Sequence, residues 1–200
     1  SGRRGPVWID IPLNVQGALV EEEKLTKYVV KEEKNDITKQ IQELVKELQN
    51  AKRPCILTGS GIRSGNAWIQ YKEFLQKVKI PIVGGSLQAD INSKEDALYY
   101  GMSGSSGPRT GNFILQNADY ILVLGNSLSF KQTGFNQEEF APNATICMVD
   151  AQKEEGKKDG LHIKKIIEAD LNDFFNSVNA IDDFVKADNQ WVDYCNMIKD

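Results

Sequence analysis

From Pro54 onward the chain alternates short apolar runs with segments of helical spacing, a pattern that few architectures accept. Cys55-Ile56-Leu57 reads as a strand, after which Trp68, Tyr71, Phe74, Leu75 and Val78 mark a helix. Ile80-Pro81-Ile82-Val83 is a second strand, ending in Gly84-Gly85. A helix from about Gly107 to Asn117 then leads into a third strand, Tyr120 to Leu124. Thr145 to Val149 and Ile163 to Ile167 supply two more strands, and Leu171 to Val178 a closing helix. Short apolar strands alternating with helices specify βαβ units and a parallel sheet covered on both faces, an α/β three-layer sandwich.

The flanks read differently. Asp36 is expected to cap a helix whose apolar face is Ile37, Ile41, Leu44, Val45 and Leu48, with Asn50 at its end. Before it, Gly17 to Asn35 is charged and irregular, with Glu21-Glu22-Glu23 and Lys31-Glu32-Glu33-Lys34, and reads as a solvated linker. Val7 to Ile11, ending at Pro12, is expected to be a short strand with nothing before it to pair with, as at a domain boundary. Ile181 to Asp200 is polar, with Trp191, Tyr194 and Ile198 on one helical side, and is expected to be a second linker. The resulting partition is 1–16 from a preceding domain, 17–35 linker, 36–180 central domain and 181–200 linker.

Composition excludes several roles. The 24 Lys and Arg are interspersed with 28 Asp and Glu, giving a net charge of −4. Nucleic-acid binding wants clustered cations, so no nucleic-acid partner is expected. The longest apolar run, Tyr120 to Leu124, is too short to span a bilayer, and no membrane partner is expected. Cys55, Cys147 and Cys195 form no CxxC pair, which argues against a zinc module or a disulfide framework and favours a reducing cytoplasm.

In open α/β sheets, ligands settle at the carboxyl ends of the strands. The loops there are rich in Gly and Ser. Gly59, Ser60 and Gly61 follow the first strand, and Ser86 and Leu87 the second. Gly104, Ser105, Ser106 and Gly107 precede a helix, and Gly125, Asn126 and Ser127 follow the Tyr120 strand. Asp150 ends its own strand, and Asp170 follows the last. Glycines let a backbone approach a diphosphate, and an acidic strand end suits a ribose diol. The same loops also suit plain tight turns, because Gly59, Gly61 and Gly65 are spaced GxGxxxG rather than GxGxxG. No catalytic residue or metal ligand is expected: none of the loop serines has a base beside it.

Several stretches resemble the acetolactate synthase large-subunit-like, thiamine diphosphate-dependent enzymes. Gly5 to Gln16 is similar to the end of that family's first domain, with Asn14 where Asp is usual. Arg53 to Gly61 resembles the opening of its middle domain. Gly101-Met102-Ser103-Gly104 with Gly107 and Asn112 resembles its glycine-rich segment. Asn117 to Gly125, Thr133-Gly134, Phe140-Ala141-Pro142-Asn143-Ala144, Ile146 to Asp150 and Ala169-Asp170 follow in the family's order. The resemblance implies a six-stranded parallel sheet like that of sirtuin-type NAD- and FAD-binding domains, holding FAD, ADP or nothing. It places residues 1–16 in a pyrimidine-binding domain and directs residues 181–200 toward a diphosphate-binding domain. Thiamine diphosphate and Mg²⁺ would serve the parent enzyme, a homodimer or homotetramer with decarboxylase, carboligase or lyase chemistry. This segment would be non-catalytic, its partners being the other domains of its own polypeptide.

Departures narrow the expectation. Asn126-Ser127-Leu128-Ser129-Phe130-Lys131 stands where the family carries Ala-Arg-Phe-Asp-Asp-Arg, and Ser105-Ser106 replaces Met-His. Loss of that arginine removes a bidentate phosphate partner, so ADP or an empty crevice is expected before FAD. The alternative is a free-standing sirtuin-like, NAD-dependent domain, suggested by Thr58 to Ser64. That chemistry wants a pocket histidine, and the single histidine, His162, sits beside a charged turn.

Overall fold

The structure, a computed structural model, describes residues 3, 5–29, 35–182 and 184–199. The charged run Lys31-Glu32-Glu33-Lys34 therefore lies outside the described residues. Six strands form the sheet: β1 (Pro54–Thr58), β2 (Ile82–Gly84), β3 (Tyr99–Met102), β4 (Tyr120–Leu124), β5 (Thr145–Asp150) and β6 (Ile163–Glu168). The helices are α1 (Leu13–Gln16), α2 (Thr38–Asn50), α3 (Gly61–Ser64), α4 (Trp68–Lys77), α5 (Arg109–Asn117), α6 (Phe130–Thr133), α7 (Leu171–Asn179) and α8 (Asn189–Met197). Strand order is β3-β2-β1-β4-β5-β6, and every pairing is parallel. The chain reverses its winding between β1 and β4, so the switch-point crevice opens where these two strands end.

Alternation along each strand builds two cores, one per face. Ile56, Ile82, Leu122 and Cys147 pack with Leu44 of α2, Phe74 of α4 and Phe175 of α7. Leu57, Val83, Val123 and Met148 pack with Ile114 of α5 and Trp191 of α8. Each fully buried Leu or Phe in these layers contributes about 1.5–3 kcal/mol relative to exposure. Pro54 is tolerated in a central strand because it is the first residue of β1. The Asp36 carboxylate accepts a hydrogen bond from the Thr38 amide at 3.0 Å, but the cap position itself falls on Ile37, whose carbonyl accepts the first helical bond, so Asp36 lies one residue before the expected cap.

Three sequence expectations change. Residues 7–11 form no strand: they are extended, exposed and without a sheet partner, with Trp8 92% exposed, and only α1 follows. Their short apolar run reads as a strand, but a strand exists only where a ladder partner does. β3 was read as part of a glycine loop. It is an edge strand with an irregular register on β2 and a glycine inside it, so its pattern is too short to register. Residues 184–199, read as linker, fold back onto the sheet. Phe184, Val185, Ala187, Trp191 and Cys195 are buried, and residue 79 exchanges backbone bonds with Val185 and Ala187.

Candidate functional site

A cleft of about 300 Å³ opens at the carboxyl ends of β1, β2, β4 and β5. Its floor is the meeting of two loops. The Gly61 amide donates to the Gly125 carbonyl at 2.9 Å, and Gly59 donates to Leu124 at the same distance. A Cβ on Gly59 would stand 2.3 Å from the Gly125 oxygen, so only glycine fits there. Gly125 itself has φ of +60°, in the left-handed region. Asn126 then makes an Asx turn: its Oδ1 accepts from the Leu128 amide at 2.9 Å, and its Nδ2 donates to the Thr58 carbonyl at 3.2 Å.

The β2 side of the cleft rests on a buried polar network. Thr58 Oγ1 donates to Gln88 Oε1 at 2.8 Å, and Asn92 Nδ2 donates to both of them at 3.0 and 2.8 Å. Gln88 Nε2 donates to the Tyr99 hydroxyl at 3.1 Å, and the Tyr71 hydroxyl donates to Asn92 Oδ1. Five buried groups thereby fix the loop that carries Ser86 and Leu87.

Ten of the fourteen expected site residues line this cleft: Gly59, Ser60, Gly61, Ser86, Leu87, Gly125, Asn126, Ser127, Asp150 and Asp170. The structure does not bring Gly104, Ser105, Ser106 and Gly107 into its wall. Asn112 ties that loop down, accepting from the Gly104 amide at 2.9 Å and donating back to the Gly104 carbonyl at 3.1 Å. Gly104 and Ser105 border a separate small hollow instead. Gly85, of the loop expected after β2, lines the cleft too, and sequence reasoning missed Arg3, Ser129 and Gln132, which also line it. Nothing local in the sequence points to Arg3, which only the path of the chain brings here. Gln132 and Ser129 lie just past the β4 loop and could have been found by extending it.

Electrostatically the cleft pairs one cation with two carboxylates. Asp150 is 8% exposed, and burial pushes its carboxyl up, partly offset by the hydrogen bond from the Gln152 amide at 3.0 Å. Arg3 forms an ion pair with Glu155, which Lys158 also engages at 3.0 Å. Burial pushes Glu155 up, but these two partners outweigh it and hold the carboxyl below its ordinary value. Lys158 Nζ further donates to the Ser127 carbonyl, clamping the β4 loop to the segment after β5. Asp170 caps α7, accepting from the Asn172 amide at 2.7 Å. His162 and the buried cysteines lie outside the lining. The arrangement suits holding a polar, elongated ligand: backbone at the centre, a carboxylate at one end and a guanidinium at the rim.

The family model described as thiamine pyrophosphate enzyme, central domain, matches residues 41–176. The chain belongs to this family, as its central domain. Acetolactate synthase isozyme 1 large subunit of Escherichia coli (strain K12) is 35% identical over 175 residues, 86% of this chain and 30% of that protein. The acetolactate synthase large subunit of Lactococcus lactis is 31% identical over 86% of this chain and 29% of its own length. That of Corynebacterium glutamicum is 27% identical over 100% of this chain and 33% of its own. The central domain thus spans about a third of the curated relatives it matches. Among the described residues, no three His, Cys, Asp or Glu side chains converge as a metal site, and no helix is long and apolar enough to cross a membrane.

Proposed function

We propose that this central domain is a non-catalytic module of an acetolactate synthase-like enzyme, and that its cleft binds the ADP portion of a nucleotide. The parent enzyme would use thiamine diphosphate and Mg²⁺, held by its other domains, for 2-keto acid decarboxylation, carboligation or lyase chemistry, as a homodimer or homotetramer in the cytoplasm. What carries the nucleotide reading is the juxtaposition of Asp150, at the end of β5, with the Gly59-Ser60-Gly61 and Gly125-Asn126 backbones at the switch point. Asp150 spends Oδ1 on the Gln152 amide, which leaves its second oxygen for a ribose diol. The Ser60 and Ser86 amides have no acceptor among the described residues and suit phosphate oxygens. Arg3 supplies a guanidinium from the N-terminal segment, where the loop after β4 lacks one.

The alternatives are a pure scaffold and a free-standing NAD-dependent domain. Calorimetric titration with ADP, FAD and NAD separates them. ADP binding lost in Asp150→Asn supports the proposed role. No heat from any of the three at millimolar concentration leaves the scaffold reading, and NAD-selective binding favours the free-standing domain.

A further inference from the structure

A second hollow, of about 700 Å³, opens at the amino ends of the strands, opposite the switch-point cleft, and holds charges that do not pair. Lys52 and Arg53 reach it from the turn before β1, and Asp188 from the start of α8. Their anchors are fixed. The Lys52 and Arg53 amides donate to the two carboxylate oxygens of Asp119 at 2.9 and 2.8 Å, and Arg53 Nε donates to the Asn117 carbonyl at 2.6 Å. Asp188 caps α8, its Oδ1 accepting from the Gln190 amide at 2.8 Å. Among the described residues, the Arg53 Nη groups, the Lys52 ammonium and the second Asp188 oxygen have no partner.

This lining selects a ligand by charge. Two cations and one carboxylate face the same hollow, and neither cation pairs with the carboxylate, which leaves room for a group between them. A compact ligand that satisfies all three carries two carboxylates and one ammonium. Tyr194 supplies a further wall. Its half-buried ring stacks on the buried Trp191 ring at 5.5 Å and 12°, a flat apolar surface against which a short methylene chain can lie. The fixed anchors matter at so open a site, because the small gain of an exposed ion pair is lost when its side chains must first be ordered.

We propose that this hollow binds a free acidic α-amino acid, of the aspartate or glutamate class. The Arg53 guanidinium takes the α-carboxylate, the Lys52 ammonium takes the side-chain carboxylate, and Asp188 accepts from the ligand's ammonium. The site is independent of the switch-point cleft. It lies at the opposite end of a parallel sheet and shares no lining residue with it.

Titration of the 200-residue chain with L-glutamate, L-glutamine and glutarate at constant ionic strength tests it. Binding is read by NMR at the Trp191 indole N–H, whose resonance is identified by its loss in Trp191→Phe. L-glutamate should shift this resonance saturably at millimolar concentration and leave those of Trp8 and Trp68 in place. Glutamine lacks one carboxylate and glutarate lacks the ammonium, so each should bind about fivefold more weakly, as loss of one exposed ion pair predicts. Asp188→Asn, which keeps a capping side chain for α8, should abolish the preference for glutamate over glutarate. Lys52→Gln should abolish the preference for glutamate over glutamine. The proposal is overturned by the absence of a saturable shift with glutamate, or by equal shifts at all three indoles. Glutarate or glutamine binding as tightly as glutamate overturns it too, as does a preference that survives its matching substitution.

Discussion

The Trp191 indole N–H donates to the Pro54 carbonyl at 2.9 Å, tying α8 to the first residue of β1 across 137 positions of sequence. This bond, with the burial of Ala187, Trp191 and Cys195, makes α8 part of the domain's second core, while Phe184 and Val185 just before it join the first. Trp191→Ala should cost about 3–5 kcal/mol through the cavity it leaves. Trp191→Phe should cost less, about 1–2 kcal/mol, because it loses the hydrogen bond and only part of the ring. Urea unfolding midpoints measure both. A Trp191→Ala change below 1 kcal/mol would mean that α8 does not contribute to the fold.

Gly59→Ala should be strongly destabilising, because the new methyl meets backbone rather than a side chain that can swing away. Gly5→Ala is the control, with nothing within 4 Å of its added carbon, and should stay within about 0.5 kcal/mol of the parent. Thermal melts of the two variants check the contrast.

Acid should remove one specific contribution. Burial pushes Glu47 up, but hydrogen bonds from Lys165 at 2.7 Å and from the Tyr120 hydroxyl at 2.7 Å outweigh it, so its carboxyl lies below the ordinary 4.5. A carboxyl lowered by folding stabilises fully above its unfolded value, and that stability is lost as pH falls through its folded value. The pair is partly exposed, which limits the effect to about 0.5–1 kcal/mol after screening. Glu47→Gln should flatten the fall in stability below pH 4.5 by about that amount, read from urea titrations at successive pH values.

Arg3→Gln should raise the Kd for ADP about tenfold and reduce its dependence on salt, as loss of a charge-assisted phosphate contact does. Calorimetry at two ionic strengths reads both effects. An unchanged Kd would confine Arg3 to its pairing with Glu155.

The 200-residue chain should not turn over pyruvate in the presence of thiamine diphosphate and Mg²⁺. Acetolactate formation by the isolated chain, followed colorimetrically, would place catalysis in residues that are given only a binding role above.

Much of this was legible in the sequence. Near-continuous apolar runs made β1, β4 and β5 readable, because strands buried on both faces carry few polar positions. Glycine and serine after β1, β2 and β4 marked most of the cleft, because tight strand-to-helix turns need them and clefts form there. Gly104 to Gly107 carried the same signature for a different reason: Asn112 folds that loop on itself.

Local periodicity alone set the layered α/β class and most of the apolar residues that fill the cores of residues 37–178. Tertiary structure decided everything that depends on partners distant in the chain. It left residues 7–11 without a ladder and built β3 from a pattern too short to read. It turned the polar tail into a packed helix, and brought Arg3 to a cleft whose other walls lie on loops far along the chain. Those outcomes depend on which long-range contacts close, and no window of neighbouring residues contains that information.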